Sequence, residues 1–166
     1  MAPRRGETNQ MIELQADLWS VVADVHCITT NGDVNRHGEA VMGRGCAWEA
    51  KRRFPDLALH FGTMIRRSQD LGVWLDGGPR VMDLGGKEMW RGYHLISFPV
   101  KYHWHEPASL ELIEQSAALL ELFAARQQWK RVVVPRPGCG NGGLEWKDVK
   151  PIIESYFDER FIVVHL

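Results

Sequence analysis

Arg131-Val132-Val133-Val134, followed by Pro135-Arg136-Pro137-Gly138-Cys139-Gly140-Asn141-Gly142-Gly143, is the stretch that decides the fold. Arg131 to Val134 reads as a strand whose three valines run on without a polar break, as in a strand covered on both faces. A glycine-rich loop ends it. Trp146 to Tyr156 then carries a helical pattern, and Phe161 to His165 reads as a final strand. Upstream, Pro107 stands just before a long helix over Ala108 to Arg126, where Leu110, Ile113, Ala117, Leu120 and Phe123 recur at helical spacing. Gly72 to Leu75, Arg80 to Leu84 and Tyr93 to Phe98 are short strand candidates separated by Gly-Gly or Gly-Pro turns. Near the start, Val21 to Thr30 reads as a buried strand closed by Asn31-Gly32, after a short apolar stretch at Met11 to Leu14. Cys46 to Phe54 is helical and basic until Pro55 breaks it, and Leu57 to Ser68 forms a second helix with Leu57, Phe61, Met64 and Ile65 on one stripe. Strands and helices alternate, strictly so in the second half. That pattern predicts a three-layer α/β/α domain with a mixed or mostly parallel central sheet. One domain is expected over residues 11–166, with a loose polar tail at 1–10 and no linker, repeat or low-complexity segment.

Composition narrows the function classes. The chain has 166 residues, 45% hydrophobic and 25% charged, enough for a real core. A formal net charge of -1 gives no bulk attraction to nucleic acid or to an anionic membrane, although it does not speak to local patches. No apolar run approaches the roughly 20 residues that span a bilayer, and the first residues lack a secretory apolar core. Cys27, Cys46 and Cys139 are odd in number and far apart, with no CxxC pair, which suggests neither a disulfide framework nor a zinc cluster. A cytoplasmic monomer without metal or cofactor is the expectation.

In an open α/β sheet, ligands gather beyond the carboxyl ends of the strands. Two loops expected there are rich in glycine: Asn31-Gly32 through Gly43-Arg44-Gly45, and Gly138 through Gly143. Glycine lets backbone N–H groups converge on an anion, and a helix start behind each loop adds partial positive charge. Together the loops could hold a pyrophosphate from two sides; the plain alternative is that the glycines only make tight turns. GxxxxGK[ST] is absent and no GxGxxG sits in a βαβ unit, so triphosphate binding and dinucleotide redox chemistry are not favoured. Lys101, at the end of the Tyr93–Phe98 strand and its continuation, is either a solvated surface lysine or a nucleophile or phosphate contact on the same rim. His103 and His105 flank Trp104 but have no third ligand in sequence, so they read as polar loop residues before metal ligands. Cys139 reads as a small buried residue before a reactive thiol. Glu145 and Asp148 are possible general acids, though Glu145 also suits the first turn of a helix. Trp19 and Trp104 are the loop candidates for stacking on a base or ribose.

Taken together, these segments resemble a macrodomain. The similarity is to the branch that holds the terminal ADP-ribose protein glycohydrolase and the antitoxin macrodomains that remove ADP-ribose from DNA. The matches run in order over nearly the whole chain: Asp17-Leu18-Trp19, Val25 to Thr29, Val41-Met42-Gly43-Arg44-Gly45-Cys46-Ala47 with Lys51-Arg52-Arg53-Phe54-Pro55, Phe98 to Trp104, and Pro135 through Trp146. The resemblance implies ADP-ribose lying across the crest of a mixed sheet. It implies that Asp17, with Leu18 beside it, holds the adenine end. It assigns the pyrophosphate and distal ribose to Met42, Gly43 and Gly45 and to Gly138, Cys139, Gly140, Asn141, Gly142 and Gly143, with Thr29 or Asn31 near the anomeric carbon. It casts Lys101 as the catalytic nucleophile, since a neutral amine attacks an opened sugar aldehyde well.

Two departures stand out. The protein-directed enzyme of this branch carries an acid inside the second glycine loop, where this chain has Gly142; Glu145 could replace it only by reaching back. Asp33 to Glu39 lengthens the first loop like an insertion. The leading expectation is therefore an ADP-ribosyl glycohydrolase that removes mono-ADP-ribose from a macromolecule. The near-neutral charge favours a protein glutamate or aspartate acceptor, and the Lys51, Arg52, Arg53 cluster keeps DNA possible. The alternatives are a non-catalytic ADP-ribose reader and a hydrolase of small ADP-ribose esters.

Overall fold

The computed structural model describes residues 9–72 and 78–166. Its elements are β1 (Ile12–Gln15), β2 (Val25–Thr30), α1 (Gly45–Arg53), α2 (Leu57–Asp70), β3 (Met82–Gly85), β4 (Leu95–Pro99), α3 (Leu110–Gln127), β5 (Val132–Pro135), α4 (Trp146–Glu154) and β6 (Phe161–His165). The strands form one sheet in the order β1-β6-β5-β2-β4-β3. Every neighbouring pair is parallel except β3 with β4, so the sheet is mixed.

Three layers follow from how the strands divide their side chains. Successive strand residues point to opposite faces. Val132 and Val134 of β5, with Phe161 and Val163 of β6, join the core under α3 and α4, where Ile113, Ala117, Leu120, Val149 and Ile153 meet them. Val133, Ile162 and Val164 join the opposite core, against Ala47, Ala50, Leu57, Phe61 and Ile65 of α1 and α2. Both faces are covered, so these strands read as unbroken apolar runs. Ser109 starts α3 by accepting a hydrogen bond from Leu112 N at 3.2 Å. No helix among the described residues is long and apolar enough to cross a membrane.

The start of the chain differs from expectation. The strand expected at Val21–Thr30 begins only at Val25, behind a short 3-10 turn at Leu18–Ser20. Apolar composition misleads here, because the backbone of this segment serves side chains rather than a ladder. Val21 O meets the ring Nε2 of buried His26 at 2.8 Å, Val22 O accepts from Arg131 Nε at 2.8 Å, and the Asp24 carboxylate accepts from Lys130 N and Arg131 N. Val22 itself is 83% exposed. The stretch Met11 to Leu14 contributes the edge strand β1. Residues 73–75 of the strand expected at Gly72–Leu75 lie outside the described residues, as does most of the tail expected at 1–10. The other elements differ from expectation only at their ends.

The first glycine loop rests on α2 at Gly62. A Cβ there would overlap the Gly38 carbonyl oxygen and lie 2.8 Å from Ala40 N, in a contact made of backbone on the loop side. Helix propensity alone would make Gly62→Ala stabilising by about 1 kcal/mol. The overlap reverses the sign: the substitution is expected to destabilise the fold by at least about 2 kcal/mol in chemical denaturation. A variant as stable as the parent would show that the loop is not seated on the helix.

Candidate functional site

All the parallel strands end at one edge, and the chain there encloses a cleft of about 780 Å³. Its walls come from Ala16, Asp17 and Leu18 after β1, from Thr29, Thr30 and Asn31 at the end of β2, and from Val100 and Lys101 after β4. Pro135 and Arg136 add the end of β5, and His165 and Leu166 the end of β6. The volume suits a nucleotide-sized ligand. Gly43, Arg44, Gly45, Cys46 and Ala47 bring the first loop and the start of α1 to it; Gly138 through Gly142 bring the second loop. The loops meet: a Cβ at Gly45 would lie 3.1 Å from Asn141 Nδ2. No side chain caps α1, so its first backbone N–H groups are free to serve an anion.

The first loop is built by its own side chains. Asn31 Nδ2 donates to Val41 O at 3.0 Å, and Asn31 Oδ1 accepts from Asp33 N at 2.9 Å. Thr29 N and Oγ1 both lie 3.3 Å from Cys46 Sγ, which ties β2 to α1. Asp17 Oδ1 accepts from Trp19 N at 3.2 Å, which fixes the carboxylate on the cleft wall. Thr30 Oγ1 and Arg136 Nε are buried with no hydrogen-bond partner among the described residues, although each residue lines the cleft.

Lys101 sits at the seam. Its Nζ lies 3.5 Å from Trp104 O and 3.5 Å from Asn141 O, so the loop after β4 and the second glycine loop share one ammonium. The first loop reaches the same place from the other side. Asp33 Oδ1 pairs with His103 Nδ1 at 2.8 Å, and Asp33 Oδ2 accepts from Trp104 N at 2.8 Å. The first glycine loop also donates from Gly32 N to Tyr102 O at 3.1 Å.

Of the residues expected to hold ligand, Asp17, Leu18, Thr29, Asn31, Gly43, Gly45, Lys101 and Gly138 through Gly142 come together on the cleft wall. Met42 and Gly143 do not. Met42 is 3% exposed and packs in the core under α1, supporting the loop from beneath; Gly143 turns away. Trp19 is not a stacking surface either: it is buried, stacked on His26 with ring centroids 5.9 Å apart, and bonded through Nε1 to Glu49 Oε2 at 3.1 Å. Glu145 does not reach back, since its carboxylate pairs with Lys147 Nζ at 3.0 Å in solvent. Nor is there room for an acid at Gly142, where a Cβ would lie 2.5 Å from Gly138 O and 2.8 Å from Ala108 Cβ. Burial pushes the Cys27, Cys46 and Cys139 thiols up, so none is an activated nucleophile. Among the described residues no group of three or more His, Cys, Asp or Glu could hold a metal ion.

Sequence reasoning passed over Glu49, Arg53, Arg136 and His165 as site residues, and all four line the cleft. Glu49 and Arg53 follow Gly45 at four-residue steps, one face of α1, so helical spacing could have found them.

The chain matches no family model. It is 32% identical over 148 residues to the DNA ADP-ribosyl glycohydrolase of Mycobacterium tuberculosis, a match that covers 88% of this chain and 37% of that protein. This chain thus spans well under half the length of that curated relative. The macrodomain of Mycobacterium tuberculosis DarG superposes with a TM-score of 0.68 at 28% identity, over 94% of this chain and 97% of that one. Thermosipho africanus DarTG, solved in complex with ADP-ribose, has the same fold over 93% of this chain and 41% of its own, with a TM-score of 0.68 at 22% identity.

The Asp33–His103 contact yields a direct test. The hydrogen bond and charge of Asp33, with a smaller contribution from Glu106, hold the His103 imidazolium above the usual histidine range. A raised pKa favours the protonated form, so the tie is fully present in acid and is lost as pH rises through the raised value. An NMR titration is expected to place His103 above about 6.5 and to show it falling towards that value in Asp33→Ala. Equal titration in both proteins would remove Asp33 as the cause.

Proposed function

The chain belongs to the macrodomain family, and on that premise we propose that it is an ADP-ribosyl glycohydrolase that removes mono-ADP-ribose from DNA. The observation that carries the catalytic reading is Lys101 Nζ at the seam of the cleft, 3.5 Å from the Asn141 carbonyl of the second glycine loop. ADP-ribose lies with its adenine amino group on Asp17. Its pyrophosphate sits between the N-terminus of α1 and the loop at Gly138–Gly142, whose N–H groups and helix dipole suit an anion. The distal ribose then reaches Lys101. The ring oxygen takes a proton as its bond to the anomeric carbon breaks, the lysine, neutral after giving up a proton to solvent, adds to that carbon, and the bond to the acceptor breaks as the acceptor takes the proton that the new C–N bond releases. Water hydrolyses the lysyl–sugar adduct, releasing ADP-ribose and regenerating the amine.

Net charge is a poor guide to the acceptor. The whole chain carries -1, but the cleft wall carries Arg44, Arg53, Lys101 and Arg136 against Asp17 and Glu49. A local excess of cations attracts a polyanion regardless of the total. With the activity named for the Mycobacterium tuberculosis relative, this favours DNA over the protein carboxylate that net charge alone suggested.

Release of free ADP-ribose from mono-ADP-ribosylated single-stranded DNA tests the proposal, with a glutamate-linked ADP-ribosylated protein as the parallel substrate. Lys101→Ala is expected to lose roughly a hundredfold or more in rate while still binding ADP-ribose. Asp17→Ala is expected to weaken ADP-ribose binding roughly tenfold, the loss of one hydrogen bond to a charged group. Binding of ADP-ribose with no release from either substrate would leave a reader. Release from the protein substrate alone would replace the acceptor.

A further inference from the structure

We infer that Trp104 reads the acceptor, its indole stacking on the nucleobase that carries the ADP-ribose. The inference rests on the DNA reading above. A large aromatic side chain left in solvent is ordinary when it stands alone on a surface. Trp104 is set apart by where it stands and how firmly it is held.

Trp104 is 56% exposed and lines the cleft. Trp48 is also exposed, but Arg52 covers its ring at 4.6 Å. The ring neighbour of Trp104 among the described residues is His105, at 5.5 Å and 77°, an edge contact; no ring lies parallel to it. Its backbone is held at both polar groups. The amide donates to Asp33 Oδ2 at 2.8 Å, and the carbonyl meets Lys101 Nζ at 3.5 Å. Asp33 fixes the preceding residue too, through His103 Nδ1 at 2.8 Å. The chain thus invests an acidic side chain from its first loop in holding a residue that is more than half exposed. An aromatic on a fixed backbone, with only two side-chain torsions and an uncovered face, loses little conformational freedom when it stacks on a ligand.

The position selects the ligand. Lys101 attacks the carbon that bears the acceptor, so the acceptor leaves the cleft beside Lys101 and meets Trp104 there. A nucleobase presents a flat π-face to an indole, and such stacking is a general device for holding unpaired bases. A carboxylate on a peptide presents none.

The test compares the parent chain with Trp104→Ala, Trp104→Phe and Asp33→Ala on mono-ADP-ribosylated single-stranded DNA, with the affinity for free ADP-ribose measured alongside by calorimetry. Trp104→Ala is expected to raise the KM for the DNA substrate by roughly five- to a hundredfold while the ADP-ribose Kd moves by less than about twofold. Trp104→Phe restores most of the loss, and Asp33→Ala, which frees the loop, shows part of it. An unchanged KM in Trp104→Ala overturns the inference. So does a Kd for ADP-ribose that rises in step with the KM, which would put the indole on the ADP-ribose itself. A parent chain that binds ADP-ribose but releases none from DNA overturns the DNA reading and takes this inference with it, a result distinct from the other two.

Discussion

Val25, Val132 and Phe161 lie side by side in three parallel strands, and His26 faces Leu95 in a fourth. That shared direction is the constraint on which the site depends. Parallel neighbours must be joined by crossovers, so the chain leaves β2, β4 and β5 at the same edge each time; it returns through α3 after β4, through α4 after β5, and through α1, α2 and the antiparallel β3 after β2. The two glycine loops and the lysine segment are therefore delivered to one place, although they lie far apart in sequence. Running β4 the other way would carry Lys101 to the opposite end of the sheet. The antiparallel strand β3 stands at the far edge and supplies nothing to the cleft wall.

Direction brings the loops together, and side-chain contacts to backbone set their spacing. Asn31 spans the first loop through Val41 O, Asp33 bridges to the lysine segment, and Lys101 crosses to Asn141. Each such bond is worth about 1 kcal/mol net. Their value lies in the geometry they hold, because each fixes one loop against its neighbour and keeps the cleft wall from drifting apart.

The legible part of the fold was the part in which burial is symmetrical. β5, the second glycine loop, α4 and β6 could be read directly because a strand covered on both faces leaves a run of apolar residues. The same signal failed at Val21–Ala23, where apolar residues occupy a loop whose carbonyls serve His26 and Arg131. The cleft wall was legible where it consists of backbone and glycine, at Gly43, Gly45 and Gly138 to Gly142. It was less so where side chains decide. Apolar character could not say that Met42 points into the core while its neighbour Gly43 lines the cleft. Trp19 passed for a stacking residue because the partners that bury it, His26, Phe54 and Tyr93, are brought to it by packing. The Asp33 contacts to His103 and Trp104 join segments about seventy residues apart, and no local pattern announces them.

The closed space around Gly142 bears on how this chain can change over generations. The obstacle to a side chain there is partly Ala108 but mainly the carbonyl and Cα of Gly138, which are backbone. Gly138 itself holds a left-handed conformation, with φ at 74°, and a Cβ there would lie 2.9 Å from Ile113 Cδ1 and 3.0 Å from Ala108 Cβ. Enlarging the pocket by mutating neighbours removes only the methyl group and leaves the carbonyl in place. A carboxylate at position 142 therefore lies beyond the reach of single-codon steps: the loop would first have to be rebuilt in length or path. A lineage that starts from this backbone keeps a bare backbone at position 142, and any acid it gains must come from a neighbouring position.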